Sequence, residues 1–177
     1  MRTLKTSSLK ATLATLLVLT GSLAAAQTTP TDTRERPAVW TGLGLETILP
    51  VVQVSVSAPV GQAGGLTVTP RVGVDAGVIT ILSADLLLSR ADTGWYGGPS
   101  AGLIVTGDGG WRAGAVAGYR ARTRTNLGLF VEGGVRYTVV RGVLTSHEPV
   151  PAGQSARPAE DLALPSPTLR VGLTYRF

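Results

Sequence analysis

The stretch Leu169-Arg170-Val171-Gly172-Leu173-Thr174-Tyr175-Arg176-Phe177 sorts its residues by parity. Leu169, Val171, Leu173, Tyr175 and Phe177 hold the odd positions, and Arg170, Gly172, Thr174 and Arg176 hold the even ones. Successive side chains of a strand point to opposite faces, so this spacing predicts a β-strand with one apolar, aromatic-tipped face and one polar face. A helix would scatter both sets around its circumference.

The same sorting recurs upstream. Along 66–78, Leu66, Val68, Pro70, Val72, Val74 and Ala76 oppose Thr67, Thr69, Arg71, Gly73, Asp75 and Gly77. Along 127–139, Leu127, Leu129, Val131, Gly133, Val135, Tyr137 and Val139 oppose Gly128, Phe130, Glu132, Gly134, Arg136 and Thr138, with Phe130 the one large apolar residue on the polar side. Extending this reading predicts eight strands, near 38–47, 51–60, 66–76, 79–89, 95–106, 111–122, 126–140 and 167–177. Each is close to the 9–11 residues that a tilted strand needs to cross a bilayer. Gly61 to Gly65, Ala91 to Gly94, Gly107-Asp108-Gly109-Gly110 and Thr123 to Asn126 have the chemistry of hairpin connections. The weakest break is Ile48-Leu49-Pro50, where proline interrupts pairing over a very short span. One long connection is expected at 141–166, carrying Pro149, Pro151, Pro158, Pro165 and the sole histidine, His147.

Nine charges fall within these strands: Glu46, Arg71, Asp75, Asp85, Arg112, Arg120, Glu132, Arg136 and Arg170. All share parity with the Gly/Thr/Ser face of their strand. Five arginines and four acids on one face suit a narrow interior, where each charge offsets the desolvation of another. Inward glycines at 42, 44, 73, 114, 118, 128, 134 and 172 leave room for the arginine side chains. The resulting expectation is an all-β fold, an eight-stranded antiparallel up-and-down transmembrane β-barrel with its interior filled by side chains rather than open as a diffusion pore.

Composition bounds the remaining classes. Arg2, Lys5 and Lys10, the apolar run Leu13 to Leu19, and Ala24-Ala25-Ala26 predict a cleaved secretory signal over 1–26, followed by a flexible polar leader over 27–37 and the barrel over 38–177. Removing the signal reduces the formal charge from +5 and leaves 13 arginines against 11 acids, which gives no basis for a nucleic-acid-binding surface. The chain has no cysteine, so disulfides, thiolate metal sites and lipid attachment through cysteine are excluded.

Alternation alone also fits a soluble periplasmic β-sandwich with a binding function. Against the sandwich stand a glycine-rich polar face of balanced charge and the placement of aromatics. Trp40, Trp95, Tyr96, Trp111, Tyr119, Tyr137, Tyr175 and Phe177 mostly lie near expected strand ends, where amphipathic rings favour the headgroup level.

Residues 169–177 resemble the C-terminal insertion signal of bacterial outer-membrane proteins, and with the export signal and strand count the chain resembles small barrels of the OmpA/OmpX type. That resemblance implies residence in the bacterial outer membrane, outer-membrane lipid as surroundings, and recognition of Leu169, Val171, Leu173, Tyr175 and Phe177 by the barrel assembly machinery. It implies no particular extracellular partner.

Candidate chemistry is sparse. Ser146-His147-Glu148 has the residue types of an acyl hydrolase, which keeps a lipid-modifying enzyme as an alternative, but adjacent loop residues beside Pro149 lack the rigid frame that a nucleophile and base require. Asp75, Asp85, Glu46 and Glu132 are better explained as partners of arginine than as metal ligands or an acid-base pair. Gly107-Asp108-Gly109-Gly110 offers too few ligands for calcium and precedes no helix that would cradle phosphate. The expectation is therefore no catalytic residue, cofactor or metal, and a structural, envelope-maintaining or surface-interaction role.

Overall fold

The alternating segments form nine strands: β1 (Ala38–Glu46), β2 (Leu49–Ser57), β3 (Gly61–Ala63), β4 (Leu66–Ala76), β5 (Thr80–Ser89), β6 (Trp95–Ile104), β7 (Gly110–Ala121), β8 (Leu127–Leu144) and β9 (Glu160–Arg176). The computed structural model describes residues 36–90, 93–121, 125–144 and 160–177, and no helix occurs among them. The signal segment, nearly all of the leader and the Ser146-His147-Glu148 triplet lie outside the described residues.

Every pairing is antiparallel, in the order β2-β1-β9-β8-β7-β6-β5-β4, and β2 pairs in turn with β4. That last pairing closes eight strands into a barrel, which removes the sheet edges an open sheet would expose. A two-sheet sandwich does not describe this topology. The three-residue β3 is an appendage paired to β4 beyond the ring, turned at Gly64 and Gly65, whose φ values of 58° and 77° suit a tight hairpin. It occupies the segment expected to be a simple turn, and β2 correspondingly ends at Ser57 rather than near 60.

The alternating connections fall at two ends. Ala38 pairs with Arg176 at one end, and Glu46 pairs with Leu49 and Thr168 toward the other. The weak break at 48–50 resolves into a turn of Thr47 and Ile48, with Pro50 already in β2. Thr47 has φ 59°, a conformation that costs a β-branched residue of order 1–3 kcal/mol, and its amide is held by the Pro167 carbonyl at 2.7 Å.

The hairpin β8–β9 is longer than expected. Its 18- and 17-residue strands run to Leu144 and from Glu160, so 141–144 and 160–166 belong to strands and the connection is 145–159. Pro165 falls in the stretch expected to be a connection and Pro167 at the start of the expected last strand, yet β9 passes through both. They face Tyr137 and Val135 as register partners, while their neighbours Leu164 and Ser166 face Thr138 and Arg136. Because the Pro167 carbonyl points away from β8 to Thr47, residues of its parity turn their amide positions to the β1 side, where the β1–β9 pairing ends at Glu46 and Thr168. Proline there leaves the β8–β9 ladder intact, and Pro165 removes a donor from the edge that β9 presents beyond β1.

Candidate functional site

The barrel offers two surfaces of opposite chemistry, an interior and an outer wall. Strand geometry assigns each residue to one of them, because the register aligns the parity classes of neighbouring strands.

The interior is layered. Near the Ala38/Arg176 end, Ala38, Trp40, Leu87, Tyr96, Val116 and Phe130 form a buried apolar cluster. The Trp40 ring meets Tyr96 edge-on at 5.5 Å and Phe130 at 5.1 Å, geometry that aromatic quadrupoles favour. Its indole Nε1 donates to Ser57 Oγ at 2.8 Å, which satisfies the one polar atom that burial would otherwise strand. Glycine makes the cluster possible. A Cβ on Gly42 would lie 2.9 Å from Phe130 Cζ, and one on Gly118 would lie 2.6 Å from the Tyr96 hydroxyl. Trp40 and Tyr96 thus fill the interior, which corrects their assignment to the rim of rings at the strand ends.

Above the aromatic layer sits a network of charges. Arg71 Nη2 bridges Asp85 Oδ2 at 2.7 Å and Glu132 Oε2 at 2.8 Å. Arg112 binds Glu46 Oε2 at 2.6 Å through Nη1 and Asp75 through Nη2. Arg170 Nη2 lies 2.8 Å from Asp75 Oδ2, and its Nη1 lies 3.4 Å from Glu132 Oε1. The Tyr96 hydroxyl donates to Glu132 Oε2 at 3.1 Å, linking the network to the aromatic layer. Arg71 and Arg120 also place their guanidinium carbons 5.1 and 5.4 Å from the centre of the Trp40 ring.

All nine strand charges therefore occupy the inner face, and Glu46, at the far mouth, is the one not fully buried. Arg136 donates from Nε to Ser100 Oγ at 3.0 Å, and no acid of the described residues is in salt-bridge contact with it. Toward the Glu46 end the layer changes again: Ile81 and Ile104 are buried, and Val51, Val140, Leu162 and Leu164 are half-buried on the inward parity. Apolar side chains thus close the interior on both sides of the charges.

The outer wall is the inverse. Its residues on β1, β2 and β4 to β9 up to the barrel rim are Leu, Val, Ala, Gly, Pro and aromatics, and Thr41 and Thr80 are the exceptions with a polar side chain. Exposed leucines and valines include Leu43, Leu103, Leu129 and Val135, each with about 60% or more of its surface open. Trp95 and Tyr119 stack edge-on at 5.2 Å, and Tyr175 and Phe177 at 5.5 Å, toward the Ala38/Arg176 end. Trp111 and Tyr137 meet at 6.2 Å toward the Glu46 end. On β7, Trp111 and Tyr119 are about 27 Å apart along the strand at about 3.4 Å per residue. A barrel tilt of about 40° reduces that to about 20 Å along the axis.

Leu169, Val171, Leu173, Tyr175 and Phe177 all lie on this wall and are exposed. Among the described residues, no group of His, Cys, Asp and Glu is arranged to hold a metal ion. Comparison with known proteins finds no matching family model, no similar curated protein and no similar solved structure.

Proposed function

We propose that the chain is an integral bacterial outer-membrane β-barrel of the small OmpA/OmpX-like type, with a structural, envelope-maintaining or surface-interaction role rather than an enzymatic or pore-forming one. The observation that carries this reading is the inversion of polarity: charges fill the inside and an almost uninterrupted apolar wall faces out. Exposed apolar patches on soluble monomers rarely exceed a few hundred Å², whereas a wall surrounding a whole barrel is the surface that lipid tails require. The girdle spacing of about 20 Å between ring pairs suits an apolar band of about 25 Å once the rings themselves reach the headgroups.

A scaffold role is supported by the closed interior. Eight strands leave room only for side chains. Here that room holds an aromatic layer, crossed ion pairs and an aliphatic layer. Activity is then left to the ends of the barrel, above all to the tall β8–β9 hairpin at the Glu46 end, which we assign to the extracellular side. Outer-membrane lipid is the partner of the wall, and the barrel assembly machinery the partner of residues 169–177 during insertion.

Carbonate-washed membrane fractions analysed on a heat-modifiability gel test this reading. The expected result is retention in the outer membrane with faster migration of the unheated sample. Release into the soluble fraction would refute it. Planar-bilayer recordings test the closed interior separately, with no large, stable open-channel current expected.

A further inference from the structure

Among the described residues, Arg136 has no acid in salt-bridge contact. Glu46, Asp75, Asp85 and Glu132 are each held by Arg71, Arg112 or Arg170. None of the four forms a salt bridge with Arg136. The Arg136 side chain is fixed by its Nε bond to Ser100 Oγ, yet Nη1 and Nη2 have no hydrogen-bond partner although the residue is only 1% exposed.

Two neighbours share this condition. Arg112 and Thr138 are register partners on β7 and β8, and Thr138 is the next inward residue after Arg136 on β8. Arg112 Nε and Thr138 Oγ1 are likewise buried without a partner. Arg136 itself is flanked in register by Gly114, which contributes no side chain, and by the short Ser166. One patch of the inner wall therefore combines a planar guanidinium fork, a second guanidinium N–H and a hydroxyl, all able to donate and none with an acceptor. Buried N–H groups without acceptors are rare and costly, and for a charged guanidinium the cost is greatest.

We propose that this patch is an internal binding site for a small monovalent anion of the halide class, held by Arg136 Nη1 and Nη2 with Arg112 Nε and Thr138 Oγ1. Water would supply an acceptor but no charge, and it leaves the Arg136 guanidinium without a counter-charge in direct contact in a medium of low dielectric. A bulky or divalent oxyanion would need more room than an interior closed by apolar layers gives, and it would cost more to desolvate. A halide meets both constraints. The site belongs to the folded barrel, since its three residues become neighbours on the inner wall only when β7 and β8 pair.

The test is equilibrium unfolding by urea after refolding in detergent, in sodium chloride against sodium gluconate at equal ionic strength. For an anion bound at about 10 mM and supplied at about 100 mM, linkage predicts a folding equilibrium constant about tenfold larger in chloride, with a midpoint that saturates as chloride rises. Arg136→Gln should remove the chloride dependence. Bromide anomalous diffraction from the wild-type protein gives an independent readout, with density expected beside the Arg136 guanidinium. Equal midpoints in the two salts, a chloride dependence that survives Arg136→Gln, or bromide bound only elsewhere would overturn the proposal in favour of water alone. If Arg136→Gln does not fold, the wild-type salt comparison and the bromide density decide in the same two directions. Neither readout depends on whether the barrel resides in a membrane.

Discussion

Arg71 on β4 and Glu132 on β8 stand diametrically opposite in the ring of eight strands, and their charged ends meet at 2.8 Å. A side chain can reach across only because the barrel is narrow. Arg112–Asp75 and Arg170–Asp75 also cross it, each spanning three steps of the strand order. These bridges tie together strands that share no backbone hydrogen bond, so the interior opposes ovalling of the barrel as well as satisfying its own charges.

Glu132 is the junction of that arrangement, since Arg71, Arg170 and Tyr96 all converge on it. Glu132→Gln leaves two buried guanidiniums short of a counter-charge and is expected to destabilise the barrel by about 3–5 kcal/mol. Urea unfolding in detergent measures this. Removing Glu132, Arg71 and Asp85 together in favour of apolar residues of similar volume should cost less than the single change, because Asp85 is then not stranded without Arg71 and Arg170 keeps Asp75.

The aromatic layer depends on absent side chains. Gly118→Ala places a methyl 2.6 Å from the Tyr96 hydroxyl and ring tip, so the ring must move and its bond to Glu132 must lengthen. A loss of about 1–3 kcal/mol is expected from overpacking. In a Tyr96→Phe background the penalty should shrink, and a double-mutant cycle reads the coupling directly.

Val171 lies near the middle of the outer wall, flanked in register by Leu43 and Val131. Val171→Arg should cost about 2–4 kcal/mol in a bilayer if this position lies near the midplane. On a soluble barrel the same exposed substitution would change stability by about 0.5 kcal/mol or less. Folding titrations in phosphatidylcholine vesicles distinguish the two.

Phe177 packs edge-on against Tyr175, and its amide donates to the Pro37 carbonyl at 3.1 Å. Deleting Phe177 is expected to lower the amount of heat-modifiable protein in the outer membrane while leaving export unaffected. Normal levels of embedded protein would remove the insertion role from this segment.

Much of the barrel was legible because a strand's period is two and the wall demands one polarity from every other residue. Arg71, Asp75, Glu132 and Arg170 announced the inner face through parity, and the register then placed Arg71 opposite Asp85 and Glu132 opposite Arg170. Trp40 and Tyr96 were misplaced for an instructive reason. Their nearness to strand ends suggested a girdle, but Trp40 shares parity with Gly42, Gly44 and Glu46, and Tyr96 shares it with Ser100. Parity decides the face, and distance from the strand end decides only the height. Phe130 carried the same signal beside Glu132.

Other features were hidden because they depend on which strands face each other across the barrel. The crossed pairs of Arg71 with Glu132 and Arg112 with Asp75 require the closed ring, which no local pattern encodes. The isolation of Arg136 was equally invisible, since an equal-looking charge on the same face gives no hint of which acids are already taken. The reach of β9 back through Pro165 to Glu160 was concealed by assigning the proline-bearing stretch to a connection without asking which flank the missing donor faces.

The absence of cysteine from the chain permits the most direct test of the central claim, that the apolar wall faces lipid. Single cysteines at Leu43, Leu129, Val131, Val135 and Val171, spin-labelled and refolded into phosphatidylcholine vesicles, report which solvent meets each position. A lipid-facing wall gives high accessibility to oxygen and low accessibility to a water-soluble nickel chelate at all five. High accessibility to the nickel chelate would contradict it.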